Sequence, residues 1–406
     1  MREMKDSGID IVGNIPFSWK TKKLKYLCTV ETGDQDTQDA NPDAEYPFYV
    51  RSPIVERSDR YTFNGEGILM AGDGAGAGRI FHRAFGKYAV HQRVYRLANF
   101  IDIHTSFLYY YFSNLFAVQM DKGSAQSTVP SVRLPMLTDF NICIPTSVEQ
   151  QAITTFLDSK CTVINSLTAD IQTQIDILEQ YKRSVITEAV TKGLNSEVEM
   201  KNSGLDWIGT VPKHWKIEKF KFHLKRNEPK NPGNTVVLSL YREYGVIQKD
   251  SRDDNFNKTS EDTSNYKHVR VGNFVVNKMK AWQGSVGISE YEGIISPAYF
   301  VYEFLNNIIY KRYFHFLLRG CYKDEFMRLS GGVRVGQWDL SAEGLANVPI
   351  LIPPYEEQCD IANYINKKTR EIELIISDKQ YQLETLANYK KSLIYEYVTG
   401  KKEVPL

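Results

Sequence analysis

Two blocks of this chain occur twice, each in an unbroken frame. Met4-Lys5-Asp6-Ser7-Gly8-Ile9-Asp10, followed by Gly13, Pro16, Trp19 and Lys20, returns as Met200-Lys201-Asn202-Ser203-Gly204-Leu205-Asp206, followed by Gly209, Pro212, Trp215 and Lys216. Every match keeps the offset set by Met4 and Met200. A second block, Ile144-Pro145 with Glu149-Gln150 and Tyr181-Lys182-Arg183-Ser184, returns as Ile352-Pro353 with Glu357-Gln358 and Tyr389-Lys390-Lys391-Ser392. Between the paired blocks lie two dissimilar segments, about 27–143 and 223–351. Uniform drift after a duplication would not spare the blocks selectively. The chain is therefore a scaffold used twice to present two different surfaces.

The second block predicts a long helix. From Val148 to Lys192 there is neither Pro nor Gly, and apolar residues recur at Ile164, Leu167, Ile171, Ile175, Leu178 and Val185. The copy carries Ile372, Ile375, Ile376, Leu383, Leu386 and Leu393. Pro145 and Pro353-Pro354 stand before the starts, Gly193 and Gly400 at the ends. Two such stripes can bury each other, which predicts an antiparallel coiled-coil pair packed through Ile164, Ile171, Leu178 and Val185 against Ile372, Leu383, Leu386 and Leu393. The alternative is that each helix packs on its own domain.

A chain of 406 residues accommodates two domains. The dissimilar segments read as mixed: Gly65 to Met70 and Val271 to Val276 as turn then strand, Ser106 to Phe116 and Ile309 to Leu318 as aromatic-rich helices. The expected class is α+β: two globular domains, 1–143 and 196–351, separated by the paired helices in 144–195 and 352–406. Hydrophobic residues make up 42% and charged residues 24%, ordinary for a soluble protein, and no apolar run is long enough to span a membrane. The first residues lack a signal-peptide core, so a cytoplasmic location is expected. Cys28, Cys143, Cys161, Cys321 and Cys359 show no metal-ligand spacing and read as reduced thiols. A net charge of +1 is uninformative, although Lys213 to Arg226 is locally basic.

Motifs that could carry catalysis lack a required residue. Gly72-Asp73-Gly74-Ala75-Gly76-Ala77-Gly78 neither opens a helical pattern nor precedes Lys-Ser/Thr, so it reads as a loop between strands rather than a phosphate cradle. Ile352-Pro353-Pro354-Tyr355 and Ser296-Pro297-Ala298-Tyr299 approach the amino-methyltransferase motif. Ile352 cannot accept the base amino group, and Ala298 replaces a required proline. The seven histidines have no nucleophile at an informative spacing.

The Met-Lys-Asp/Asn-Ser-Gly-x-Asp-x-x-Gly-x-x-Pro-x-x-Trp block, joined to Ile-Pro, Glu-Gln and a long helix twice over, resembles specificity subunits of type I restriction-modification systems. The resemblance covers nearly the whole chain. It implies a sequence-specific reader of double-stranded DNA in which each dissimilar segment is a target-recognition domain for half of a bipartite, asymmetric site. It further implies a subunit without catalysis of its own, docked by two methyltransferase subunits and by restriction (motor-nuclease) subunits. S-adenosylmethionine, ATP and Mg are then expected on those partners, with no cofactor and no metal on this chain. The assembled complex would be an adenine-N6 DNA methyltransferase and an ATP-dependent endonuclease. The competing readings are a self-contained DNA-modifying enzyme and a structural coiled-coil interaction protein without DNA binding.

Base-reading candidates are polar and basic residues in glycine-containing loops, because Arg pairs with guanine and Gln with adenine on base edges. In the first domain these are Arg79, Arg83, Lys122, Ser124, Gln126, Ser127, Thr128 and Arg133. In the second they are Lys278, Lys280, Gln283, Arg328, Arg334 and Gln337. Lys213, Lys216, Lys219 and Lys221 are candidates for phosphate contacts.

Overall fold

The computed structural model describes residues 2–123, 130–233, 236–241, 245–251, 259–260, 262–332 and 338–404. Its helices are α1 (Thr105–Gly123), α2 (Leu134–Thr138), α3 (Ser147–Lys192), α4 (Lys311–Cys321), α5 (Lys323–Arg328), α6 (Ala342–Ala346) and α7 (Tyr355–Val398). With the sheets below they make an α+β fold. Two compact units divide the chain: Met1–Gln172 with Gln380–Leu406, and Thr173–Lys379. Each unit takes one half of each long helix.

The repeated blocks meet in the same way in both units. In the first, Lys20–Lys23 pairs antiparallel with Asn141–Ile144, placing Lys20 opposite Ile144. In the second, Lys216–Lys219 pairs with Pro349–Ile352, placing Lys216 opposite Ile352. Identical register at both ends closes each dissimilar segment into a loop on a common base, so segments of different length fit one frame. Buried Trp19 donates its indole N–H to Glu149 at 3.3 Å, and buried Trp215 donates to Glu357 at 3.0 Å. Gln150 accepts from the backbone N–H of His104, just before α1, and Gln358 from that of Tyr310, just before α4, both at 2.7 Å. The Glu-Gln pair therefore ties the block to the segment it encloses.

In the first unit a four-stranded antiparallel sheet runs Thr29–Thr32, Val94–Ala98, Gly67–Ala71, Phe81–Ala84. All of Gly67–Ala71 is buried, which explains its continuous apolar run. A second sheet holds Glu56–Ser58, Tyr46–Tyr49, Lys87–Val90 and Phe63–Asn64, with one parallel pairing. Phe107, Tyr111, Phe112 and Phe116 on the buried side of α1 pack with Phe140 in the main core. In the second unit the antiparallel sheet runs Leu224–Arg226, Tyr299–Phe304, Phe274–Asn277, Val286–Ile288. Its core contains Phe220, Phe274, Tyr302 and Phe314.

The long helices pair antiparallel within each unit. In the first, Phe156 stacks on Tyr397 and Asn165 accepts from Lys390. In the second, Lys379 donates to Gln174 and Lys182 lies 3.7 Å from Glu373. Ile164, Ile171, Ile175, Val185, Ile372, Ile376 and Leu393 are buried, while Leu178, Leu383 and Leu386 are half-buried. Leu167 and Ile375, expected on the stripes, are 45% and 47% exposed. They fall off the narrow seam that two facing helices can cover.

Candidate nucleic-acid interface

In the first unit the glycine run connects strands Gly67–Ala71 and Phe81–Ala84, and its shape is dictated by close approaches. Gly74 has φ 76°. A Cβ at Gly76 would lie 2.3 Å from Ile80 Cδ1, and one at Gly72 would lie 2.9 Å from the Arg93 carbonyl. The loop is pinned by charge. Asp73 accepts from Arg51 at 2.9 Å and Arg93 at 2.7 Å. Partial burial raises its carboxyl, but the two guanidiniums outweigh that and hold it below the usual range. Two guanidiniums thus converge on one carboxylate beside the loop, with Asp36 also acting on Arg93.

A bridge between Asp73 and Ser131, and a 2.7 Å bond from Val132 N–H to the Gly72 carbonyl, bring residues 131–133 alongside this loop. The exposed Arg133 follows at the start of α2. Arg79 is exposed on the same loop.

Arg83 has a different environment. It donates to Ser106 at 2.7 Å, approaches Asp158 of α3 at 3.8 Å, and stacks over Phe85 and Tyr109. Those contacts make it a strut between the sheet and two helices. Lys122, expected in a loop, lies in the last turn of α1. Ser124, Gln126, Ser127 and Thr128 lie outside the described residues.

In the second unit the basic residues surround an aromatic ring. Strand Phe274–Asn277 leads into Lys278, whose Nζ stands 5.6 Å from the Phe300 ring centre. Arg226 lies over the same ring at 4.5 Å and Lys267 at 5.7 Å. A single carboxylate, Glu228, accepts from Arg226 at 2.7 Å and from Lys267 at 2.9 Å. Burial lowers the Lys267 ammonium first, Glu228 works against that, and neighbouring Arg226 and Lys278 lower it further. Three cations thus stand within 6 Å of one ring centre and, among the described residues, Arg226 and Lys267 share Glu228, a preorganised basic cluster.

The loop continues through exposed Met279 and Lys280 to Trp282, which packs edge to face on Trp338 at 5.7 Å. Gln283 is half-buried on this loop. Arg328 instead grips the buried Glu325 through two 2.7 Å bonds. Arg334 and Gln337 lie outside the described residues.

The sequence reading missed Arg51, Arg93, Arg226 and Lys267. Arg226 closes the basic Lys213 to Arg226 run. The other three carry no local signal, because distant strands bring them to their partners. Of the phosphate candidates, Lys213 pairs with Glu199 and Lys221 donates to Asn347, while Lys216 and Lys219 are exposed on strand Lys216–Lys219.

A frame built twice, each copy enclosing a different α+β segment, defines a class of internally repeated two-domain proteins. The family model described as type I restriction modification DNA specificity domain matches residues 16–177 and again 216–385. The chain belongs to that family. It is similar to the type I restriction enzyme EcoDI specificity subunit of Escherichia coli, 23% identical over 96% of this chain and 90% of the relative. It is also similar to the type I restriction enzyme MjaVIII specificity subunit of Methanocaldococcus jannaschii, 23% identical over 96% and 94%. Among solved structures, one described as the structural basis of complex assembly and conformational transition of the type I R-M system matches with a TM-score of 0.66 and 13% identity. That match covers 96% of this chain and 99% of the other.

Proposed function

We propose that the chain is the non-catalytic subunit that reads DNA for a type I restriction-modification complex, with segments 1–143 and 196–351 as its two target-recognition domains. The observation that carries this reading is the unequal basic surface on equal frames. Arg51 and Arg93 flank the glycine loop in one unit, and Arg226, Lys267 and Lys278 ring Phe300 in the other. Unequal readers on one scaffold select an asymmetric site in two parts. Methyltransferase and restriction subunits dock on the helices, where Val163, Ile177, Tyr181, Leu374, Tyr381 and Tyr389 expose apolar surface. S-adenosylmethionine, ATP and Mg belong to those partners, and the complex works in the cytoplasm.

Replacing residues 27–143 with the matching segment of a related subunit should change one half of the methylated site and leave the other. Methylome sequencing with both halves altered overturns the modular reading. Methyl transfer by the purified chain alone overturns the non-catalytic one. Lys216→Gln, at an exposed position among the phosphate candidates, should weaken binding about equally across sequences. It should also reduce the slope of log K against log salt by about 1.

A further inference from the structure

A cavity of about 410 Å³ in the second unit lies between strands Gly245–Gln248 and Val286–Ile288 and the start of α4. Its size is that of a small-molecule site. Tyr291, Tyr310 and Phe316 supply flat walls, and Lys311 and Arg319 supply charge, while Arg312 is held by Asn366 at 2.8 Å and lies 4.0 Å from Glu290. The geometry of α4 adds to that charge. Lys311 and Arg312 open the helix, its first turn holds no acidic residue, and no side chain caps it. The N-terminal end of a helix already carries partial positive charge, so two cations there work against the dipole unless an anion joins them.

The corresponding helix of the first unit, α1, opens on Thr105 and Ser106 without a cation. One turn into α4, His315 Nε2 stands 3.2 Å from the Arg319 guanidinium. Burial, then Arg319 and Arg312, push this imidazole down to about 3, so it is neutral at physiological pH and its Nε2 accepts from Arg319 beside the cavity. Charge, dipole and aromatic walls thus converge on one partly open cleft. None of these groups belongs to the ring of cations around Phe300.

We propose that this cavity binds a small ligand of the nucleotide class, its phosphate held by Lys311, Arg319 and the start of α4 and its planar ring against Tyr291 and Tyr310. The site is separate from DNA reading and does not rest on it. Calorimetric titration of the full chain with AMP should show saturable binding with Kd below about 1 mM. Lys311→Gln and Arg319→Gln should each weaken it at least tenfold while leaving the melting temperature and duplex binding near wild type. Lys311 is exposed, so its substitution leaves the core intact even if Arg319→Gln perturbs packing. Three results overturn the proposal: no heat up to several millimolar AMP, unchanged affinity in Lys311→Gln, or displacement of AMP by short duplex DNA. Displacement by duplex would reassign the cations to a DNA strand. Inorganic phosphate binding as tightly as AMP would overturn the role of the aromatic walls.

Discussion

Gly400 and Gly193 show how one residue type serves the repeated frame. Both follow a long helix in the left-handed region, at φ 69° and 75°. Each also sits under a tryptophan of the repeated block. A Cβ at Gly400 would lie 2.4 Å from Pro16 Cδ and 3.1 Å from Trp19, whereas one at Gly193 would lie 2.9 Å from Glu357 Oε1 and 3.3 Å from Trp215. Gly8, at φ 70°, has open space around it. Gly8→Ala therefore isolates the backbone cost, of order 1–3 kcal/mol. Gly400→Ala should cost most, because a proline ring cannot swing aside, and Gly193→Ala should fall between, because a carboxylate can. Melting curves that place Gly400→Ala level with Gly8→Ala would show that the glycine is kept for its dihedral alone.

At the scale of elements, the helices were legible and the interface was only partly so. A stretch of 46 residues without Pro or Gly, punctuated at both ends, admits little else, and α3 and α7 lie where the pattern put them. Strands in the dissimilar segments carried less signal: the wholly buried Gly67–Ala71 has no alternation to read and was legible only through the glycine turn before it. Loop composition placed Arg79, Arg133, Lys278 and Lys280 outside regular elements, where they lie, but it could not separate them from Arg83 and Arg328, which are held by Asp158 and Glu325. It also could not assemble Asp73 with Arg51 and Arg93, which lie on different elements. The pairing of the helices makes a further prediction. Each helix finds partners in both units, Asn165 with Lys390 in one and Lys182 with Glu373 in the other. Two residues inserted after Asp176 turn the following stripe by about 200° and should lower the melting temperature sharply. Four residues inserted there, matched by four after Ser377, turn it by only about 40° beyond a full turn and keep every cross-helix pair in register. Circular dichroism melts in which both variants unfold alike would rule out the paired seam as a source of stability.

For the whole molecule, the order of the repeats along the chain differs from their grouping in space. The first unit needs both ends of the sequence. Tyr395 donates to the Ile11 carbonyl at 3.0 Å, Lys401 to the Asn14 carbonyl, and Arg2 lies 3.8 Å from Glu403. The second unit makes the matching arrangement from one uninterrupted stretch, running from the end of α3 through Trp215 to the start of α7. In that unit the connection after α3, residues 193–199, does what no peptide bond does in the first: it joins a helix end to the repeated block beside it. The repeated frames of the two units are thus equivalent, and only the way the chain threads them differs. A permuted protein follows from this equivalence, with a short flexible linker from Val404 to Arg2 and new ends between the exposed residues Ser196 and Glu197. The linker spans ends already held close, and the cut falls outside every helix and strand, so no buried backbone hydrogen bond is lost. The permuted chain should melt within a few degrees of the original and select the same two half-sites. If it aggregated, or if its second unit alone lost stability, the continuity of residues 193–199 would be a requirement of the fold rather than one of two equivalent ways to thread it.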